Sequence, residues 1–311
     1  MWIEKSCKNL WMRFRTYINT DTGTMRIKDI VKEVLKEDTG RRDITTELTV
    51  PADKTAAAMI LVNEDCVVCG LEVAKLVFKT ADKKIKFRPL TGDGRYVKKG
   101  KILARIEGRA RSILTAERVA LNFLMLLSGI ATKTKKFVDA IKPYKVKILD
   151  TRKTTPGLRE LQKYAVRAGG GYNHRMSLDK MVLIKDNHLK AASYKRSAVS
   201  LKKIIKQIRN RLPARTKIEI EVRNLGEFVE ALKAKPDIIM LDNMSINEIK
   251  KAVQLRNNLQ PTTYNLQPKL EASGRVNLKN IKKIAACGID MISIGELTHS
   301  IDSVDISLEI L

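Results

Sequence analysis

Residues 217–243 read KIEIEVRNLGEFVEALKAKPDIIMLDN. KIEIEV and IIMLDN are short runs rich in Ile, Val, Leu and Met with the length of strands. Between them Leu225, Phe228, Val229 and Leu232 recur on one helical face. Two apolar strands joined through an amphipathic helix form a βαβ unit, because parallel strands need such a crossover. The pattern repeats in KVKILD (145–150), MVLIKD (181–186), KLEASG (269–274) and MISIG (291–295). LKKIIKQIRNRL (201–212) supplies another helix, with Leu201, Ile204, Ile205 and Ile208 on one side. Six such strands predict an α/β fold in the form of a barrel.

In a barrel of this kind the C-terminal strand ends share one mouth, where active sites sit. These ends read Thr151-Arg152-Lys153, Lys185-Asp186, Glu221, Asp242-Asn243, Ser273-Gly274 and Gly295. Any one of them alone is a solvated loop residue. Six polar ends in register, with cations, two acids and bare backbone amides, suit a magnesium-bound phosphorylated substrate. AGGGYNHR (168–175) adds His174 and Arg175 to the cations at 152, 153 and 185, after a glycine that caps the preceding helix.

Upstream the pattern differs. AAAMILVNE, CVVCGLEV, KIKFRPL and KILARIEG, between Asp43 and Gly108, are short alternating runs that predict a small α+β domain. Gly92 and Gly94 read as a hairpin turn, since no strand-to-helix context supports a dinucleotide loop. Thr115 reads as the N-cap of a helix with Glu117 in its first turn and Leu121, Leu124, Met125 and Ser128 along one face. Within it ALNFLMLLSGIA (120–131) is a buried segment, short of the roughly 20 residues of a membrane span. Residues 1–24 are an N-terminal extension of separate character, with Leu10, Trp11, Phe14 and Ile18 at helical spacing. The segment reads as an added amphipathic helix or a targeting segment without a signal-peptide core. A clean helical pattern starts after Met25, an alternative start, with Ile27, Ile30, Val31, Val34 and Leu35.

The formal net charge of +26 fits either a polyanion-binding surface or a lysine-rich protein with small-anion sites. Basic residues are spread through every segment, without an arginine-rich arm or interleaved aromatics, which argues against nucleic-acid binding as the primary role. Cys66 and Cys69 form a lone Cys-x-x-Cys without the second pair of a structural zinc site. They read as buried, reduced thiols suited to a cytoplasmic protein.

The block LDTRKTTPGLRELQKYAVRAGGGYNHRMSLDKMVLIKDNHL, residues 149–189, resembles the signature region of the quinolinate phosphoribosyltransferases. The similarity continues in EDTGRRDITTELTVP (37–51), AERVALNFLMLLSGIAT (116–132), IEIEV, IIMLDN, LEASG and ISIGELTHS (292–300). The resemblance implies an enzyme of NAD biosynthesis. It would join quinolinate to phosphoribosyl pyrophosphate with Mg2+, giving nicotinate mononucleotide, pyrophosphate and CO2. It implies an N-terminal α/β sandwich over 25–130, to which 300–311 return, and an incomplete α/β barrel over 131–299. It also implies a homodimer or hexamer with active sites shared between subunits.

Residue by residue, the resemblance places Arg152, His174, Arg175 and Lys185 on the quinolinate carboxylates, with Arg118 reaching in from a partner subunit. Lys153 would face the pyrophosphate. Glu221 and Asp242 would hold magnesium or the ribose hydroxyls, and Ser273, Gly274, Arg275, Gly295 and His299 would surround the 5′-phosphate. The sequence departs from the family pattern at Arg275 and Arg42, where a small residue is usual, and in the polar excursion 257–269. A nicotinate-using or molybdenum-associated relative would be the rival of the same fold. The number of cations favours the dicarboxylate.

Overall fold

The computed structural model describes residues 27–193, 197–258 and 267–311. The N-terminal extension, Met25 and most of the 257–269 excursion lie outside them. The chain divides into two compact units, one of residues up to 135 with 154–170 and 298–311, the other of 136–153 and 171–297. The long helix Ala110–Ala140 spans the division at 135/136, and the segment 154–170 joins the first unit.

In the first unit, helix α1 (Ile27–Thr39) buries Ile27, Ile30, Val31 and Leu35, as the spacing predicts. Helix α2 (Ile44–Thr49) is N-capped by Asp43, whose carboxylate accepts the Thr46 N–H at 3.0 Å. Strands β1 (Thr55–Val62), β2 (Cys66–Val67), β3 (Lys86–Pro89), β4 (Tyr96–Val97) and β5 (Ile102–Arg109) follow, with helix α3 (Leu71–Ala81) between β2 and β3. The main sheet has the order β12-β1-β5-β3, where β12 (Ile306–Ile310) is the returning chain end, antiparallel to β1.

Two expectations fail in this unit. Gly92 and Gly94 do not close a hairpin: the turn joins β3 and β4, which belong to different sheets. The turn instead carries half-buried Asp93, which accepts the Leu71 N–H at 3.1 Å and the Tyr164 hydroxyl at 2.8 Å. Thr115 is not an N-cap, because helix α4 begins at Ala110 and runs without a break to Ala140. Ala110, Ile113 and Ala116 extend the buried face of Ala120, Leu124, Leu127 and Ala131 backward, and no glycine or proline lies between Ala110 and Ala120. The Thr115 hydroxyl donates to Asp43 at 3.1 Å. α4 is long and apolar enough to cross a membrane by composition, yet this face is core. Cys66 and Cys69 are buried free thiols, as read; burial pushes Cys66 up to about 11 and also raises Cys69 well above the ordinary thiol value.

Helix α5 (Arg159–Ala168) ends at Gly169. A Cβ on Gly169 would overlap the Ala131 carbonyl oxygen of α4 and lie 2.6 Å from the Thr134 Cβ, so the two helices can meet only over a bare backbone. Gly170 then turns the chain at φ +90°.

In the second unit six parallel strands take the order β6-β11-β10-β9-β8-β7. They are β6 (Lys147–Leu149), β7 (Val182–Ile184), β8 (Ile218–Val222), β9 (Ile238–Asp242), β10 (Lys269–Ser273) and β11 (Met291–Ser293). The outer strands β6 and β7 are not paired with each other, so the sheet is a barrel left open between them. Helices α6 (Asp186–Ala191), α7 (Ala198–Arg211), α8 (Leu225–Ala234), α9 (Ile246–Asn257) and α10 (Ile281–Ala285) occupy the crossovers. Ser197, Asn224 and Ser245 cap α7, α8 and α9 by accepting an N–H three residues on.

Candidate active site

Strand pleating decides which side chains meet. In a parallel ladder, residues in register share a face. β8 and β9 pair Glu219 with Ile238 and Glu221 with Met240; β10 pairs Glu271 with Met240 and Ser273 with Asp242; β11 pairs Ser293 with Ser273. Glu219, Glu221, Asp242, Glu271, Ser273 and Ser293 therefore lie on one face of the sheet, with Glu221, Asp242 and Ser273 the expected ends of β8, β9 and β10.

Lys185 follows β7. Its backbone N–H donates to the His188 Nδ1 at 2.9 Å, and its ammonium is ion-paired with Glu221. Asp242 is half-buried, with the Arg223 Nε 4.0 Å away. Arg223 also reaches Asp186 at 3.5 Å, and so stands between two strand-end acids without having been singled out in the sequence.

The turn after β10 is built from unusual backbone. Asn243 has φ +58° and Gly274 +85°. A Cβ on Gly274 would overlap the Asn243 amide, so the two strand ends approach through glycine. Arg275 has φ +49°, a region that favours glycine. Its carbonyl accepts the Asn280 side-chain N–H at 2.9 Å and its side chain is exposed, so it does not crowd the turn.

The AGGGYNHR segment is fixed against β6. The Tyr172 N–H donates to the Ile148 carbonyl at 2.8 Å, and the Asp150 N–H donates to the Tyr172 carbonyl at 3.1 Å, a single bridge beyond the sheet edge. Buried Asp150 accepts the His174 N–H at 2.9 Å and an Asn173 side-chain N–H. The Arg175 N–H donates to His174 Nδ1 at 2.8 Å, and the Arg175 guanidinium donates to the Met181 carbonyl at 3.0 Å. Burial, then the charge of Arg152, holds the Arg175 guanidinium below its ordinary range, with Glu219 opposing.

Below His174 lie two carboxylates that the sequence reading did not assign. His174 Nε2 is 3.1 Å from Glu219 Oε2 and 3.6 Å from Glu271 Oε1, and all three side chains are buried. Neither oxygen of Glu271, nor Glu219 Oε1, nor Ser293 Oγ makes a well-formed hydrogen bond. Burial first, and then the charge of Glu219, pushes Glu271 up to about 8, against opposing pulls from His174, Ser293 and Lys185. The signal was present: an acid in the middle of each apolar run IEIEV and KLEAS.

The barrel unit thus brings together Arg152, His174, Arg175, Lys185, Glu221, Asp242, Ser273 and Gly274, with Lys153 and Gly295 on the loops after β6 and β11. Arg152 and Lys153 are exposed. Arg118, exposed on α4, and His299, exposed with its Nδ1 2.8 Å from the Ser300 hydroxyl, belong to the first unit and lie outside the set gathered by the barrel.

The fold is that of a two-unit α/β protein whose open barrel carries cations and carboxylates at its strand ends. Residues 130–309 match the C-terminal domain of quinolinate phosphoribosyl transferase and 43–128 its N-terminal domain. A probable nicotinate-nucleotide pyrophosphorylase (carboxylating) of Methanocaldococcus jannaschii is 43% identical over 90% of this chain and 96% of its own. That of a Synechocystis strain is 40% identical over 90% and 91%. The crystal structure of nicotinate-nucleotide pyrophosphorylase from Ehrlichia chaffeensis superposes with a TM-score of 0.83 at 40% identity, covering 92% of this chain and 99% of the other. The chain belongs to the quinolinate phosphoribosyl transferase family.

Proposed function

We propose that this chain is a carboxylating nicotinate-nucleotide pyrophosphorylase. It transfers the phosphoribosyl group of phosphoribosyl pyrophosphate to quinolinate, with loss of CO2, to give nicotinate mononucleotide and pyrophosphate in de novo NAD biosynthesis. The observation that carries the reading is the convergence of Arg152, Arg175 and Lys185 on the same barrel mouth as Glu221 and Asp242, in a chain whose two halves match both domains of the family. A dicarboxylate needs more than one cation, and guanidinium forks bind carboxylates bidentately.

In this reading Arg152, Arg175 and Lys185 hold the quinolinate carboxylates, and Arg118 completes the set from a second copy of the chain in a homodimer or a hexamer. Lys153 faces the departing pyrophosphate. Ser273, Gly274, Arg275 and Gly295 offer backbone and side-chain donors to the 5′-phosphate. Glu221 and Asp242, carboxylates on adjacent strand ends, are the oxygen donor set that Mg2+ prefers, and they are equally suited to ribose hydroxyls. Bound Mg2+ would offset the charge developing on pyrophosphate. The protein orients the quinolinate nitrogen toward the ribose carbon as pyrophosphate leaves. No residue acts as a nucleophile. Decarboxylation follows on the adduct: the bond from C2 to its carboxylate breaks to release CO2, the electron pair stays on C2 beside the stabilising pyridinium nitrogen, and C2 then takes up a proton from water. The free cysteines fit a reducing compartment such as the cytoplasm.

The test is to incubate the protein with quinolinate, phosphoribosyl pyrophosphate and Mg2+ and to measure CO2 and nicotinate mononucleotide. Consumption of nicotinate in place of quinolinate, without CO2, would assign the chain to the rival activity.

A further inference from the structure

We propose that Glu219 and Glu271 are positioning residues, which hold the His174 ring from beneath and through it fix the backbone of Arg175 at the barrel mouth. The proposal rests on the reading above, in which Arg175 binds a substrate carboxylate, and assigns a task to two acids which that reading leaves unused.

The geometry runs in one direction, from the barrel interior to the mouth. Glu219 is in the middle of β8 and Glu271 in the middle of β10, on the same face of the sheet, with β9 between them. The His174 ring reaches both, at 3.1 and 3.6 Å through Nε2. Its other nitrogen is taken by the Arg175 N–H at 2.8 Å. Because Nδ1 accepts that bond, the hydrogen-bond network assigns the ring proton to Nε2, which donates it to Glu219. A histidine so bound has no ring nitrogen to spare for a substrate carboxylate. What it does have is a fixed plane, and the Arg175 backbone is attached to that plane. The guanidinium is fixed at a second point by the Met181 carbonyl.

Two buried acids with oxygens that lack a well-formed hydrogen bond are costly, and apolar side chains of similar size would pack there more favourably. A cost of this kind, next to the mouth, is the mark of a group retained for function rather than for stability.

Four variants test this: Glu219→Leu, Glu219→Gln, Glu271→Gln and His174→Ala. With product formation by the wild type established first, we expect Glu219→Leu to raise the quinolinate KM about tenfold, with the phosphoribosyl pyrophosphate KM within about twofold of wild type. Glu219→Gln keeps an oxygen acceptor for Nε2–H and recovers most of that loss. Glu271→Gln raises the quinolinate KM in the same direction without lowering Tm. In Glu219→Leu combined with His174→Ala, the two effects are expected not to add. Histidine 15N spectra supply a readout that needs no substrate. The chain has only three histidines, and the His174 ring should show a protonated Nε2 and a bare Nδ1 that become a tautomer mixture in Glu219→Leu. This holds the proposal to account even where the wild type makes no product, an outcome that overturns the functional reading alone. Equal rises in both KM values, additive effects, a Glu271→Gln protein with lower Tm and unchanged kinetics, or a His174 ring of the other tautomer would overturn the positioning role. Stoichiometric metal bound to wild type and lost in Glu271→Gln would overturn it too.

Discussion

The Lys185 ammonium is ion-paired with the Glu221 carboxylate across the ends of β7 and β8. A cation proposed for quinolinate and an acid proposed for Mg2+ or ribose thus neutralise each other while the site is free of substrate. Lys185 is 43% exposed but Glu221 only 7%, so moving the ammonium onto a substrate leaves a buried carboxylate that needs another cation beside it. Replacing Glu221 with Gln should leave the quinolinate KM unchanged or lower, since Lys185 loses a competitor. The Mg2+ concentration for half-maximal rate should rise at least about tenfold, the ~1.4 kcal/mol of one weakened charge-assisted contact. Steady-state rates over a Mg2+ series at fixed substrates check this; a parallel rise in the quinolinate KM would mean that Glu221 serves the other substrate.

Arg175→Ala removes a guanidinium anchored at the Met181 carbonyl and leaves a substrate carboxylate without its fork. A hydrogen bond to a charged group contributes about 1.5–3 kcal/mol, so the quinolinate KM should rise by one to two orders of magnitude. Binding of phosphoribosyl pyrophosphate, measured by calorimetry without quinolinate, should persist. Arg175→Lys should recover little, because an ammonium cannot make the bidentate contact. Loss of both ligands together would make Arg175 a structural residue.

Arg118 tests the shared site. It is exposed on α4 in the first unit, whereas Lys153 is in the barrel unit. If each site takes Arg118 from one subunit and Lys153 from the other, Arg118→Ala and Lys153→Ala are each inactive. Co-expressed or remixed, they should regain about a quarter of the wild-type rate, since random pairing leaves one intact site in half of the dimers. A mixture as inactive as its components would place both residues in the same subunit's site.

The repeating strands and helices of the barrel were legible because burial on both faces of a parallel sheet leaves continuous apolar runs, and because Ser197, Asn224 and Ser245 mark helix starts. The start of α4 was not. Thr115 is a good N-cap residue, but a favourable cap does not stop a helix whose apolar face already extends back to Ala110. Nor was the floor of the site. IEIEV shows that Glu219 and Glu221 share a face, but period two does not say that the face is the barrel interior. The partners of His174 come from β8 and β10, far away in sequence, and only the closing of the sheet brings them together. Strand ends are local and can be read; a cluster assembled across three strands cannot.

Gly169 and Gly170 separate two reasons for glycine. A Cβ at Gly169 would overlap the Ala131 carbonyl and crowd Thr134, which costs about 1–3 kcal/mol by overpacking. At Gly170 the cost is that of φ +90°, roughly 1–2 kcal/mol for a residue with a side chain. Both alanine variants should melt lower than wild type. Gly169→Ala should also loosen the contact of α5 with α4, read as faster amide exchange in α5. Exchange unchanged in Gly169→Ala would show that α4 yields to the added methyl.

Glu271 gives the pH dependence its sign. Its carboxyl is raised from an ordinary 4.5 to about 8 by burial and then by Glu219, facing His174, Ser293 and Lys185. Between those values the folded protein keeps a proton that the unfolded chain releases, so stability falls as pH rises. The contribution is fully present below pH 4.5 and is lost through about pH 8. A glutamine at this position cannot ionise and escapes the loss. The Tm of Glu271→Gln minus that of wild type should therefore be smallest near pH 5, grow toward pH 8 and level off above it. Thermal melts of both proteins across this range check it. A difference that shrinks with pH would mean that Glu271 is ionised and stabilised by its neighbours, with His174 then held as an imidazolium.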